Sequence, residues 1–594
     1  MNFDLLRRRD LDFLLHEWLN VSALTKAPRF RDHSRETFDA ALDLSENLAR
    51  REFRSHNRAS DLNEPSFDGS RVRMIPEVGR ALTAFARSGL LAGTADERLG
   101  GIQLPHVVHR ACFAYFQAAN IATASYPMLT MANANLLIEH GSAGQVRDYV
   151  VPMFEGRFFG TMCLSEPHAG SSLADVTTRA RPDADGRYRL FGQKMWISGG
   201  DHELGENIVH LLLARVEGAE PGVKGLSLFV VPKFLTSEHD GPERNDIALA
   251  GLNHKMGYRG ITNTLLSFGE GAFRPDGEAG AVGYLVGAEN RGLAYMFHMM
   301  NEARIGVGAG AAALGCTGYL QALDYARTRT QGRQPGRKDP STPQSPIVEH
   351  ADVRRMLLAS KSYVEGAMAL VLYAARLLDE STTAADHAAR ADAIRLLDVL
   401  TPIVKSWPSQ WCLSANDLAI QIHGGAGYTR DHDAEQFYRD NRLNQIHEGT
   451  HGIHALDLLG RKVVVDSGAG LDLLVTTMRE AVGRAPHGLT PWAAQLSARI
   501  DRLVTVTRAL WRDGDAERAL ANATLYLEAV GHIVIAWMWL EQAVVANGHS
   551  GTFYAGKHAA ARYFFTYELP RVDAQLDLLA ERDTQLLDLD TDVL

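Results

Sequence analysis

The run Asn444-Gln445-Ile446-His447-Glu448-Gly449-Thr450 places a carboxylate directly before a glycine, where backbone can come close to a ligand. A carboxylate so placed can act as a general base, its proton affinity adjusted by burial. Upstream, Gln421-Ile422-His423-Gly424-Gly425-Ala426-Gly427-Tyr428-Thr429 reads as a helix that ends at the paired glycines and opens a backbone concavity.

Three further segments could meet a ligand. Cys163-Leu164-Ser165-Glu166-Pro167-His168-Ala169-Gly170-Ser171-Ser172 reads as a strand running into a turn that exposes N–H groups and hydroxyls. Such a turn suits a polar heterocycle or a phosphate, and equally a hairpin with Ser-capped turns. Lys194-Met195-Trp196-Ile197-Ser198-Gly199-Gly200 reads as a strand end, where Trp196 is either a wall for a flat aromatic cofactor or a core residue. Arg304 precedes an Ala/Gly-rich helix, and Arg327, Arg329 and Arg333 cluster where that helix gives way to a proline-rich loop. Guanidinium groups there could grip a pyrophosphate, or simply favour the negative end of the helix dipole.

No metal centre is expected: His423, His432, His447, His451 and His454 are scattered, and Cys112, Cys163, Cys316 and Cys412 lie far apart. Those thiols read as reduced and mostly buried, in a cytoplasmic protein. The chain lacks the G-x-G-x-x-G, Walker A and lipase-elbow patterns, which argues against the simplest nucleotide and serine-hydrolase readings.

The elements that must position these segments change in texture along the chain. Residues 1 to about 160 carry apolar side chains three and four apart, as in RETFDAALDLSENLAREF, broken by the polar stretch 59–70. From Gly160 to about 285 short apolar runs are bounded by Gly, Pro, Asp and Asn, predicting strands, with hairpin turns after Asp183 and in VEGAEPGVKG. Helical periodicity returns from about 285 to 470, interrupted by the loop QGRQPGRKDPSTPQSP, and again from 475 to an acidic terminus.

With 594 residues, 46% hydrophobic and 22% charged, the composition is that of a globular enzyme and excludes disordered and collagen-like classes. A net charge of -10 disfavours nonspecific binding of nucleic acid. The amino terminus interrupts its apolar positions with acids, unlike a signal peptide, and no apolar run is expected to reach the length needed to cross a bilayer.

These segments together resemble the acyl-CoA dehydrogenase family of FAD flavoproteins, with motifs in the family's order from roughly residue 80 to 465. The resemblance implies an α+β, mostly α fold: an N-terminal helical domain over 1–160, a middle β domain over 161–284, a flavin- and substrate-binding bundle over 285–468, and an additional helical domain over 469–594. Leu164 and Ser165 match the pair contacting the flavin ring, and Ser171 a serine near the pyrophosphate and acyl-CoA. Trp196 and Ser198 match the residues packed against the isoalloxazine. Arg329, continued by Gln331, matches the arginine on the FAD pyrophosphate across a dimer interface. Gln421, Gly424 and Gly425 match the stretch gripping the neighbouring subunit's FAD. Glu448 matches the catalytic base and Thr450 a flavin contact, while Arg304, His447 and Gly449 fall in the substrate pocket. The implied reaction is α,β-dehydrogenation of an acyl-CoA to the trans-2-enoyl-CoA in fatty-acid β-oxidation, with electrons passed to electron-transfer flavoprotein.

His168, His447 and Gly452 depart from the family's commoner glycine, tyrosine and glutamine. The extension beyond Gly460-Arg461 resembles a long bacterial branch that includes 3-methylmercaptopropionyl-CoA dehydrogenases and fatty acyl-CoA dehydrogenases. That branch implies a homodimer, and the acidic balance and lack of a clear basic amphipathic stretch argue against stable membrane insertion. Rival readings are the thioether substrate, an acyl-CoA oxidase, and a flavin-fold adaptor or DNA-binding protein. The last is disfavoured because the tail is not basic.

Overall fold

Between Phe158 and Leu285 the short apolar runs become strands. In a computed structural model describing residues 4–235, 241–336 and 339–594, these form an eight-stranded sheet. Its strands are β1 Phe158–Cys163, β2 Arg179–Pro182, β3 Arg187–Ser198, β4 Asn207–Val216, β5 Leu226–Pro232, β6 Ile247–Leu252, β7 Asn263–Phe268 and β8 Ala281–Leu285. The order is β6-β7-β3-β8-β5-β4-β1, and β2 joins both β3 and β4. Strands β3, β8, β5, β4 and β2 therefore pair in a closed circuit. Leu190, Leu212, Phe229, Val231, Leu266 and Phe268 fill its core. Both expected hairpin turns are present, the first as the short helical turn Ala184–Gly186 between β2 and β3. Strand β5 is buried along its whole length, and its unbroken apolar run LSLFVVP fits a strand covered on both faces.

Ahead of the sheet in sequence come the helices α1 Arg35–Leu48, α2 Pro76–Arg87, α3 His106–Ala119 and α4 Ile121–His140. Asn120 separates the last two: its side chain accepts the Thr123 N–H at 3.0 Å and starts a new helix. The expected polar break over 59–70 needs correction. Residues Asn57–Leu62 are helical, and Ser66–Phe67 pairs with Val72–Arg73 in a small hairpin. The hairpin turn is chemical in origin, since Asp68 accepts the Ser70 and Arg71 N–H groups and Gly69 takes φ +93°.

The chain divides into two compact units. One comprises Asp43–Leu104 and Ala119–Ala303 and contains the sheet. Within it, Asn133 of α4 donates to the carbonyls of Thr161 and Val209, both at 3.0 Å, fastening helix to sheet. The other unit comprises the N-terminal stretch through Leu42, Pro105–Ala118 and Arg304–Leu594. Its long helices are α5 Gly292–Thr328 from Arg304 onward, α6 Ala351–Thr383 and α7 His387–His423. Helices α8 Ala434–Leu443 and α9 His451–Asp457 follow. The extension adds α10 Ala469–Gly483, α11 Thr490–Leu510, α12 Ala523–Ala546, α13 Thr552–Tyr563 and α14 Arg571–Glu581. The expected proline loop joins α5 to α6, and its residues 337 and 338 lie outside the described residues.

Helix α12 corrects another expectation. Its 24 residues are long and apolar enough to cross a membrane, but 83% of the apolar window is buried inside the protein. Trp539 donates to the Ser362 carbonyl at 3.0 Å, and Gly531 lies against the Trp407 ring. Each large apolar side chain so buried contributes roughly 1.5–3 kcal/mol, enough to make α12 a core helix of the extension.

Candidate active site

Glu448 follows α8 in a turn held from several sides. It has φ +56°, and Gly449 has φ +99°. Consecutive left-handed residues are strained for a side chain such as glutamate and persist only when surrounding contacts over-determine them. His454 of α9 donates from Nε2 to the Glu448 carbonyl at 3.1 Å, and Lys405 of α7 donates to the Gly449 carbonyl. A Cβ on Gly449 would lie 2.8 Å from His454 Nε2, so the turn and that imidazole are in close contact.

A chain of buried amides positions the approach to this turn. Asn416 of α7 donates to the Leu314 carbonyl at 3.0 Å and accepts from Asn441 of α8 at 2.6 Å. Asn444 then donates to Asn441 at 2.9 Å, and His447 donates from Nε2 to the Asn444 side-chain oxygen at 3.0 Å. All three asparagines are fully buried, so breaking one link would strand a polar group away from water.

The electrostatics favour proton chemistry. Burial pushes the Glu448 carboxyl above the usual carboxylate range, while Arg304 and Lys405 pull it back. Burial also lowers the Lys405 ammonium to about 7, opposed by Glu448 and reinforced by Arg304. His447, His451 and His454 are held neutral by burial and by Lys405, at about 3, 4 and 2 respectively. Arg304 is buried, with Asp457 at 3.8 Å as its ion-pair partner. The site thus holds one carboxyl with raised proton affinity, acted on by a buried guanidinium and by an ammonium brought to about 7, a setting suited to taking up a proton.

A second cluster lies at the other end of the same helices. Helices α5 and α7 run side by side in one direction: Gly308 lies against Val404, Gly318 against Asn416, and Tyr325 stacks on His423 with ring centres 4.4 Å apart. From Lys405 to Gln421 is therefore about 24 Å along the axis at 1.5 Å per residue. At this far end Arg329 and Gln331 are exposed, and the guanidinium donates to the Gln331 amide oxygen at 3.3 Å. Helix α7 ends at His423 and Gly424 takes φ +62°; a Cβ on either Gly424 or Gly425 would touch nothing. Gln421 is exposed beside them, and Thr450 lies back at the Glu448 end as the first residue before α9. An exposed guanidinium beside an open glycine turn fits an anionic group such as a pyrophosphate.

The remaining candidates belong to the sheet-bearing unit. Trp196 is not a core residue: it is 59% exposed and has φ +66°. Its strand carries an irregularity there, since Thr264 pairs with Ile197 but Leu266 with Lys194, and this bulge turns the indole outward. Asn263 donates to the Ser198 hydroxyl at 3.3 Å, and the Met195 N–H donates to the Ser165 carbonyl at 2.9 Å, so Ser165 and Ser198 lie around Trp196. An outward flat ring with neighbouring hydroxyls fits a ring cofactor. Ser171 is exposed beyond the turn, where Glu166 and Ala169 exchange backbone bonds around Pro167 and His168.

Leu164 is fixed by Lys194, whose ammonium donates to the Leu164 carbonyl and to the Glu166 carboxylate, both at 3.0 Å. Burial disfavours the ionised form of Glu166, but Lys194 and the Thr177 and Thr178 donors prevail and hold it down to about 2. All four cysteines are free thiols. Sequence reasoning misses Lys405, Asn416 and Asn441, and it gives Asn444, His454 and the Glu166–Lys194 pair no such roles. A lysine inside the apolar run TPIVKSWPSQW was the one available sign of the first.

Comparison with known proteins bears on both clusters. Residues 161–270 match the middle domain of acyl-CoA dehydrogenases, 290–463 their C-terminal domain, and 474–590 an acetyl-CoA dehydrogenase C-terminal-like domain. The chain is 34% identical to the 3-methylmercaptopropionyl-CoA dehydrogenase of Ruegeria pomeroyi, over 89% of each chain. It is 33% identical to the broad-specificity linear acyl-CoA dehydrogenase FadE5 of Mycobacterium tuberculosis, over 98% of each. In fold it is similar to Caenorhabditis elegans ACDH-11 in complex with C11-CoA, with TM-score 0.74 and 19% identity, covering 96% of this chain and 93% of that one. The Bacillus anthracis acyl-CoA dehydrogenase complexed with FAD gives TM-score 0.74 at 18% identity, covering 96% and 91%.

Proposed function

Since the chain belongs to the acyl-CoA dehydrogenase family, we propose that it binds FAD and oxidises a saturated acyl-CoA thioester to the trans-2-enoyl-CoA, with Glu448 as the base. The observation that carries this reading is the Glu448 carboxyl itself, carried on the strained turn that His454 and Lys405 hold by its carbonyls, and raised in proton affinity by burial. The thioester acidifies its α C–H. Glu448 removes that proton, and negative charge gathers on the thioester oxygen, where N–H donors stabilise it. Loss of the β hydrogen with its electron pair then completes the double bond. Bound FAD supplies the two-electron acceptor. Arg304, His447 and Gly449 surround the acyl group in this reading, with Ser171 near the acyl-CoA.

The outward Trp196 with Leu164, Ser165 and Ser198 supports flavin-ring binding, and to Thr450 we assign a further flavin contact. Arg329, Gln331, Gln421, Gly424 and Gly425 lie about 24 Å from the base end of their helices. That separation supports their gripping the FAD of a neighbouring subunit, and hence a homodimer. Electron-transfer flavoprotein is the acceptor we assign, within fatty-acid β-oxidation in the cytoplasm. The 34% identity to the Ruegeria pomeroyi enzyme favours a thioether acyl-CoA as the second substrate reading. Anaerobic titration of the flavin absorbance with butyryl-CoA, longer acyl-CoAs and 3-methylmercaptopropionyl-CoA tests the proposal. Bleaching by one class supports it and identifies the substrate. A bound flavin that no acyl-CoA reduces, or no flavin uptake, contradicts it.

A further inference from the structure

Lys405 is fully buried, inside a helix, and its hydrogen-bond partner is a backbone carbonyl rather than a carboxylate. Burying an ammonium costs several kcal/mol unless something offsets it, so a lysine here needs a reason. Its place in the fold is tightly specified. Pro402 and Pro408 flank it in α7 and interrupt the helical hydrogen-bond ladder on both sides. Beside it the Val404 carbonyl approaches α5 so closely that a Cβ on Gly308 would come within 2.1 Å of that oxygen. Arg304, one turn before Gly308, is delivered by the same contact.

The ammonium is aimed at the strained Glu448–Gly449 turn. His454 holds the first carbonyl of that turn and Lys405 the second. The other titratable groups around it are Arg304 from α5, His447 from the turn, and His451 and His454 from α9; Asp457 of α9 acts through Arg304. With the histidines neutral, Lys405 and Arg304 are the positive charges that act on Glu448.

We infer that Lys405 is a positioning residue for the base: it anchors the Gly449 carbonyl and supplies the buried charge that favours the ionised Glu448 carboxylate. The inference rests on Glu448 being the base. It departs from a purely packing role because an apolar side chain of similar length could fill the space but could do neither job. An opposite charge within about 4–6 Å lowers a carboxyl pKa by about 1–3 units, so its loss has a readable effect on pH dependence.

The test is the pH profile of flavin reduction by a saturating acyl-CoA, measured anaerobically in FAD-loaded protein. Lys405→Met removes donor and charge, Lys405→Gln keeps a donor, and Lys405→Arg keeps the charge. The Met and Gln variants should move the acidic limb of the rate upward by about 1–3 pH units, a roughly tenfold loss per unit at pH values below the limb. The Arg variant should leave the limb close to wild type. A role in packing alone would lower the rate without moving the limb, and an unmoved limb in both Met and Gln variants overturns the inference. Glu448→Gln separates the two readings: if it reduces flavin normally, the base assignment itself fails. Should no Lys405 variant hold FAD, the infrared carboxylate band that Glu448→Gln removes is titrated in the apoproteins of wild type and Lys405→Met instead. A midpoint higher by about 1–3 pH units in Lys405→Met supports the inference, and an unmoved midpoint overturns it.

Discussion

Replacing Gly449 by alanine perturbs the base through backbone and side chain at once. The residue has φ +99°, a region that a Cβ makes unfavourable by roughly 1–2 kcal/mol. The added methyl would also lie 2.8 Å from His454 Nε2, so the buried imidazole must shift and its bond to the Glu448 carbonyl must lengthen or break. Losing that bond leaves the buried imidazole without its partner and costs about 1–3 kcal/mol more. Gly449→Ala should therefore destabilise the protein by about 2–5 kcal/mol in total. It should also slow flavin reduction about 100-fold, since a displacement near 1 Å costs that much in a positioned reaction. Chemical denaturation and anaerobic rapid mixing with acyl-CoA read the two effects. Combining it with His454→Ala removes the clash but not the backbone cost, so the double variant should be less impaired than the sum of the singles. Wild-type stability and rate in Gly449→Ala would refute the account of this turn.

Trp196→Gly removes an exposed ring and its φ of +66°, so apoprotein stability should hold or rise by about 1 kcal/mol while FAD retention, read by ultrafiltration, falls. Lys194→Met leaves Glu166 buried without its cation and should cost about 3–5 kcal/mol in denaturant. In wild type the Glu166 pKa is depressed to about 2, so its contribution is present above the unfolded value near 4 and is lost as pH falls toward 2. Lys194→Met should lack that contribution at pH 7. Asp379 behaves oppositely: burial raises it to about 7 although it accepts the His106 and Val107 N–H groups. Wild-type stability should thus decline as pH rises from about 4 through 7, by a term on the order of 4 kcal/mol that Asp379→Asn removes, measured as denaturation midpoints across pH.

How much of this was legible differs by element. The sheet was readable because its strands are short, apolar and closed by Gly, Asp and Asn turns; LSLFVVP is a strand on composition alone. The small hairpin at Ser66–Arg73 was not, because two-residue strands carry no period and only the Asp68 turn marks them. Helix α12 does not read as a span because Glu528, His532 and Glu541 interrupt its apolar run, yet it is long and apolar enough to qualify as one. Whether such a helix crosses a bilayer or a protein core depends on what packs against it. In the site, Glu448 and the glycines announce themselves through backbone freedom. Trp196 left two readings open, and only the register shift against β7 turns it outward. Lys405 and the asparagines act across helices distant in sequence, and one chain carries no trace of that pairing.

The most direct test of the central claim is exchange of α hydrogens into D2O from a 3-thia-acyl-CoA, which has α C–H bonds but no β hydrogen to lose. The FAD-loaded wild type should wash deuterium into the α position, seen by mass spectrometry of the recovered thioester, and Glu448→Gln should not. Equal exchange by both proteins would show that another group takes the proton, and would contradict the assignment of Glu448 as the base.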